Sequence, residues 1–272
     1  MQPIKIDLLI NSRWIIPVVP ENRVFENCAL AIDQQKIVGI YPQAEAKSKF
    51  DPASVVDLAD HILMPGLVNA HGHAAMSLLR GYADDLPLQP WLEEHIWPVE
   101  ARVLSAEFVA DGTNLAMAEM IKTGTTCFAD MYFFADTVAE QVQRSGMRSQ
   151  IGFTVFDFPT AGGKDPDDYI HKGLQLRDSY KGDGLIKIAC APHAPYTVGD
   201  ETLRRIATYA NELDMAVHIH CHETAQEVAD SLKLYGNRPL QRLDDLGVLL
   251  PQTQLVHMTQ IDDNDIRLIQ DN

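Results

Sequence analysis

The 272-residue sequence contains no stretch of about 18 consecutive apolar residues, so no membrane span is expected. Basic residues are scarce: 22 Lys and Arg against 38 Asp and Glu leave a formal charge of −16. A chain this acidic is not built to hold a polyanion, so nucleic acid is excluded as a partner. The charge carries no positive information about the substrate. Cysteine is sparse, and Cys28, Cys127, Cys190 and Cys221 form no Cys-x-x-Cys pair. Free thiols in a reducing cytosol are expected, hence a cytoplasmic location. Residues Met1 to Ile10 include Lys5 and Asp7 and are expected to hold no cleavable leader. A Gly-rich phosphate loop, a Ser/His/Asp series, a Cys/His nucleophile pattern, low-complexity tracts and short repeats are all missing.

What is present suits a large core, since 46% of the residues are hydrophobic. Residues 4–60 read as all-β: Ile4 to Ile10, Ala29 to Ile32, Lys36 to Ile40 and Val55 to Leu58 are short strands. Asp33-Gln34-Gln35 reads as a hairpin turn. From residue 61 strands and helices alternate, with strands expected at 66–71, 125–131, 149–156, 185–191, 215–221 and 253–258. Ser105 is expected to cap a helix to about Lys122, and Asp200 a helix over 201–213. Thr224 to Glu227 has the capping-box pattern, with Gly236 as the stop. Buried apolar strands alternating with helices imply a parallel sheet. The expected architecture is α/β: a (β/α)8 barrel, here about six strands long, behind an N-terminal part of a β-sandwich. Residues 1–60 and 61–272 are the expected domains, with further strand-helix units expected after Asn272. The incomplete β elements suggest a homo-oligomer.

The chemistry concentrates in three places. Residues 62–73 read Ile-Leu-Met-Pro-Gly-Leu-Val-Asn-Ala-His-Gly-His. Side chains two apart on a strand share a face, so His71 and His73 project together as half of a zinc site. Val217 to His222 reads Val-His-Ile-His-Cys-His, which places His218, His220 and His222 on one face. His220 is chosen there as the ligand, and Glu223, just beyond, as the proton-transfer group. The plain alternative is a set of internally hydrogen-bonded histidines, with His218 and His222 the more structural members. His257 ends Leu255-Val256-His257 at the same rim. It either holds a water on the metal or is a capped core histidine.

Two further segments could bind a ligand. His193 lies between Pro192 and Pro195, where a rigid backbone suits a positioned polar group or simply a proline-rich loop. Trp91 and Glu100 belong to the long insert after the first barrel strand. They suit a base and ribose hydroxyls, or form part of an ordinary amphipathic helix. Asp130, ending Cys127-Phe128-Ala129-Asp130, reads as a supporting or structural group.

These residues together resemble the amidohydrolase superfamily and, within it, the 5′-methylthioadenosine/S-adenosylhomocysteine deaminases. The resemblance rests on Pro65 to His73, Met76 to Gly81, Trp91 with Glu100, His193, His220 to Thr224, and Leu255 to His257. It implies one divalent metal, zinc foremost with iron as the alternative, held by His71, His73 and His220. It implies that Glu223 contacts the base and shuttles protons, that His257 assists the hydrolytic water, and that Glu100 and His193 contact a small nucleoside. The product would be the inosine analogue plus ammonia. Pro192-His193 stands where two-metal relatives place a bridging Lys or Glu, which favours one metal. The family's metal-binding aspartate on an eighth strand has no counterpart here. Two other readings stay open: a relative acting on guanine, cytosine or a chlorotriazine, and a catalytically silent barrel.

Overall fold

The computed structural model describes residues 2–272, which divide into two compact units, the second running Leu67–Asn272. The division falls at Gly66 rather than residue 60, because the last strand of the first unit continues to Leu63.

The first unit is a four-stranded sheet of β1 (Ile4–Ile15), β2 (Phe25–Asp33), β3 (Lys36–Pro42) and β4 (Phe50–Leu63), in the order β3-β2-β1-β4. Gln34 and Gln35 join β2 to β3 with φ values of 47° and 63°, the two-residue turn whose twist matches a hairpin. β1 pairs antiparallel with β2 and parallel with β4. A parallel partner demands a crossover, and the helix Gln43–Lys49 supplies it. The all-β expectation for this region is therefore corrected. Only Ala46 of that helix is buried, so Gln-Ala-Glu-Ala-Lys-Ser-Lys has no apolar periodicity to betray it. Ala46 packs on Ile6, Leu9, Ala29, Ala31 and Phe50 as a small core. The described residues form one sheet here and no second sandwich layer.

The second unit is a parallel sheet of β5 (Leu67–Asn69), β6 (Thr125–Tyr132), β7 (Arg148–Val155), β8 (Ile186–Pro192), β9 (Val217–Cys221) and β10 (Thr253–His257), in sequence order across the sheet. Helices Ala106–Lys122, Ala135–Ser145, Pro166–Ser179 and Asp200–Leu213 precede or separate its strands. Laid flat, the two edge strands would stand roughly 24 Å apart, five strand spacings. Instead the Gln254 side chain of β10 reaches the carbonyl of Ala70, just past β5, and the Gln150 amide of β7 at 3.0 Å. The sheet is thus curled into a six-stranded half-barrel. β8 and β9 share one paired position, Cys190 with Val217.

The capping chemistry is mixed. The Ser105 hydroxyl accepts from Phe108 N–H, as expected. Asp200 does not cap: Gly199 holds that position, and the Asp200 carboxylate instead takes the buried Arg242 guanidinium at 2.7 Å. Gly112 must be glycine, because a Cβ there would lie 2.3 Å from the Ala75 carbonyl. That close approach seats helix Ala106–Lys122 against the turn that follows His73.

Candidate functional site

β5 is shorter than expected, so His71 and His73 stand on the turn after it rather than on the strand. The Asn69 side chain accepts from His71 N–H at 3.3 Å and starts that turn. His73 occupies the position before the 3-10 turn Ala74–Leu79. The imidazoles still converge. Ring centroids of His71 lie 4.9 Å from His73 and 5.0 Å from His220, and His73 lies 5.3 Å from His220. One nitrogen each from His71, His220 and His257 fall within 4.8 Å of one another. His257 is thus nearer the centre than a rim position suggests, and His73 stands beside that trio.

The second ring nitrogens are held. A carbonyl can only accept, so the Nδ1 groups of His73 and His220 must be protonated where they meet Met131 O at 2.5 Å and His193 O at 2.7 Å. Both Nε2 atoms therefore keep their lone pairs. His71 Nδ1 meets His218 Nε2 at 2.9 Å, a contact that turns His71 inward and gives His218 a place the sequence reading left structural. Burial keeps these rings neutral. It holds His71, which also feels His73, His218 and His257, down to about 3, and His218 to about 4. It lowers His73, His220 and His257 as well. Neutral imidazoles with their other nitrogens engaged are the donors a zinc ion prefers.

The expected common face of His218, His220 and His222 breaks at its last member. β9 ends at Cys221, and His222 turns over with a φ of 54°. The Glu227 carboxylate causes this by accepting both His222 N–H at 2.9 Å and Glu223 N–H at 2.7 Å. The expected cap is present beside these bonds: the Thr224 hydroxyl accepts from Glu227 N–H at 3.1 Å. His222 is buried away from the other rings, its Nε2 accepting from Leu240 N–H and its Nδ1 3.5 Å from Asp265. The same turn brings the Glu223 carboxylate to 3.4 Å from His257 Nε2. Partial burial raises the Glu223 carboxyl above its ordinary range.

Trp91, Glu100 and His193 line one cavity with His73, between the aromatic walls of Trp97, Tyr132 and Phe156. In a regular helix the nine-residue step from Trp91 to Glu100 is about two and a half turns and would put them on opposite faces. The segment Trp91–Ile96 is instead π-helical, with Trp97 N–H bonded to Leu92 O. The extra residue rotates one end relative to the other, so both side chains face the cavity. Pro98, which lacks an N–H, sits at the junction. Glu100 is 7% exposed and accepts from the Tyr132 phenol at 2.5 Å. Burial raises its carboxyl and the phenol's bond opposes that. His193 stacks on Phe156 at 4.8 Å, its Nδ1 3.0 Å from the Thr197 hydroxyl, and burial holds it down to about 3. A larger cavity, lined by Phe134, Asp136, Tyr169 and Lys172, shares only Tyr132 and Thr154 with this one and holds none of the histidines. Tyr132 carried no sequence signal because its partner is remote, and Glu227 was legible only as part of a capping box, not as the acceptor for His222 and Glu223.

A sequence profile of the amidohydrolase family matches residues 62–272. The chain belongs to the amidohydrolase family. Two curated relatives of this amidohydrolase are the 5-methylthioadenosine/S-adenosylhomocysteine deaminases of Saccharophagus degradans, 56% identical over 97% of the chain, and Teredinibacter turnerae, 54% identical over 97%. The chain spans 59% and 60% of their lengths. A crystal structure of an adenosine deaminase from Xanthomonas campestris with bound zinc is 50% identical, with a TM-score of 0.97, over 99% of this chain and 62% of that one. Among the described residues no helix is long and apolar enough to cross a membrane.

Proposed function

We propose that this amidohydrolase is, or forms most of, a metal-dependent hydrolytic deaminase of adenosine-type nucleosides such as 5′-methylthioadenosine, S-adenosylhomocysteine or adenosine. The carrying observation is the juxtaposition of two unlike sites: a cluster of neutral imidazoles beside Glu223, and an aromatic cavity with one buried carboxylate, Glu100. His73 and His193 line that cavity, so a base seated between its aromatic walls reaches the imidazole cluster.

His71, His73 and His220 would hold one zinc ion. His73 is preferred to His257 as a ligand because its Nδ1 is tied to a backbone carbonyl, as in His220, while His257 Nε2 faces Glu223. When bound, the ion supplies Lewis-acid activation of water near neutral pH. Glu223, with its raised carboxyl, hands a proton to ring N1, which makes C6 of the base electrophilic; water adds at C6, one of its protons reaching the exocyclic amine and the other returning to Glu223, as ammonia leaves and the C6–O bond becomes a carbonyl. His257, 3.4 Å from that carboxylate, orients the attacking water. Glu100 accepts from ribose hydroxyls, the Tyr132 phenol holding one of its oxygens in place. Trp91 and Phe156 wall the base, and His193 Nε2 meets its edge. A cytoplasmic enzyme that works as a homo-oligomer fits the four free thiols and the exposed apolar side chains of the first unit, Val19, Ile37 and Ile62.

The test is ammonia release by the full-length protein, zinc-loaded, from 5′-methylthioadenosine, adenosine, guanine, cytosine and a chlorotriazine. Turnover of nucleosides above the free bases supports the reading. Preference for guanine, cytosine or the triazine would replace it with a related hydrolase.

A further inference from the structure

β6 carries a side chain that the proposed chemistry leaves unused. Asp130 is 1% exposed. One of its carboxylate oxygens accepts from Ala74 N–H at 2.6 Å, and the other has no hydrogen-bond partner. Ala74 directly follows His73 and opens the 3-10 turn Ala74–Leu79. The first N–H groups of such a turn need outside acceptors, and the His73 side chain makes no capping bond. Asp130 therefore does from β6 what a capping residue does locally.

Met131 holds the same turn with its backbone. Its N–H donates to Gly72 O at 3.0 Å, and its carbonyl accepts from His73 Nδ1 at 2.5 Å. Gly72, His73 and Ala74 are thus each bonded to one of two consecutive residues of β6. The two Met131 bonds use its own backbone N–H and carbonyl and so do not depend on its side chain. Only the third depends on a particular side chain. A carboxylate buried in a strand otherwise lined by Phe128, Ala129 and Met131 is an unfavourable choice for packing alone.

We infer that Asp130 is a positioning residue for the metal site: by holding Ala74 N–H it fixes the turn that aims His73 Nε2 at the other imidazoles, and so sets metal affinity. The inference rests on the reading of His73 as a ligand. Asp130 touches neither substrate nor ion.

The test measures zinc affinity by chelator competition, and the melting temperature of the metal-free form, on the full-length protein. Asp130→Ala removes the acceptor; Asp130→Val does so while filling the space with a residue suited to a strand, in case the alanine variant fails to fold. Asp130→Asn keeps an acceptor oxygen. Ser149→Ala is the comparison: a buried side chain of the same sheet whose hydroxyl donates to Phe128 O. The expected result is zinc binding about 10–100-fold weaker in the alanine or valine variant, the range for lost support of a metal ligand. Asparagine should restore most of it, and Ser149→Ala should leave affinity unchanged. A lower melting temperature with unaltered zinc affinity in both the alanine and valine variants would make Asp130 merely structural and overturn the inference. Unaltered affinity in His73→Gln would instead remove the ligand reading, and the inference with it.

Discussion

His220 bonds twice to one atom of His193: its backbone N–H and its Nδ1–H both donate to the His193 carbonyl, at 3.2 and 2.7 Å. This double bond crosses the gap where β8 and β9 barely pair. It fixes the tautomer and direction of one imidazole with the residue that also lines the cavity walled by Trp97, Tyr132 and Phe156, so the two halves of the site share an anchor point.

Removing the metal should therefore leave the rings in place but cost stability. Zinc at 100 times its Kd should add about 2.7 kcal/mol to the unfolding free energy, by mass action. His73→Gln and His220→Gln should lose that increment, and His257→Gln should keep it. Differential scanning calorimetry with and without zinc measures this. A zinc-insensitive His257→Gln would make His257 a ligand.

Glu223→Gln should lower kcat by about 10²–10⁴, the usual worth of positioned proton transfer, with metal content unchanged. Glutamine keeps the shape and cannot carry the proton. Steady-state kinetics with metal analysis decides; loss of the metal would recast Glu223 as a ligand.

Glu100→Ala should weaken nucleosides far more than adenine, since charged hydrogen bonds are worth about 1.5–3 kcal/mol each. Tyr132→Phe should shift the same ratio less, because it frees the carboxylate without removing it. Comparing kcat/KM for adenosine and adenine tests both. Equal losses on the two substrates would end the ribose assignment.

Acid should destabilise the metal-free protein, with a defined sign. The ordinary histidine value is 6.5, and burial, with His73 nearby, holds His193 at about 3. Between these values the unfolded chain binds the extra proton, so the stability from His193 is complete above about 6.5 and is lost as pH falls toward about 3. Asp130, pushed up to about 7 by burial, runs the other way and loses stability as pH rises through that value. The His193 contribution is isolated by His193→Gln, which should flatten the slope between pH 7 and 5 by up to about 1.4 kcal/mol per pH unit. Urea unfolding across that range checks it. Parallel slopes for the two proteins would show that His193 is not held neutral.

Much of the second unit was readable because its signals are local. Six apolar strands separated by helices mark a parallel sheet wherever they occur, and Ser105 and Gly236 act within one turn of themselves. Other features escaped because their causes are not neighbours. The helix Gln43–Lys49 buries one alanine against a sheet built from distant residues. Asp200 is drawn from its expected cap by Arg242. His222 is a local exception: Glu227 turns it over from across a single turn, by accepting two backbone N–H groups that the strand pattern does not show.

The amino-acid sequence by itself determined which side chains could do chemistry: His71, His73, His193, His220 and His257 with Glu100 and Glu223. Donor type and strand periodicity are properties of the chain. Tertiary structure alone decided how they meet. The curl of the sheet brings its two edges together, the π-turn swings Trp91 to the side of Glu100, and Tyr132, Asp130 and His218 supply the bonds that orient the rest. Apart from the π-turn, whose bond is local, each depends on partners tens of residues away, whose approach is set by packing the whole half-barrel and by no local pattern.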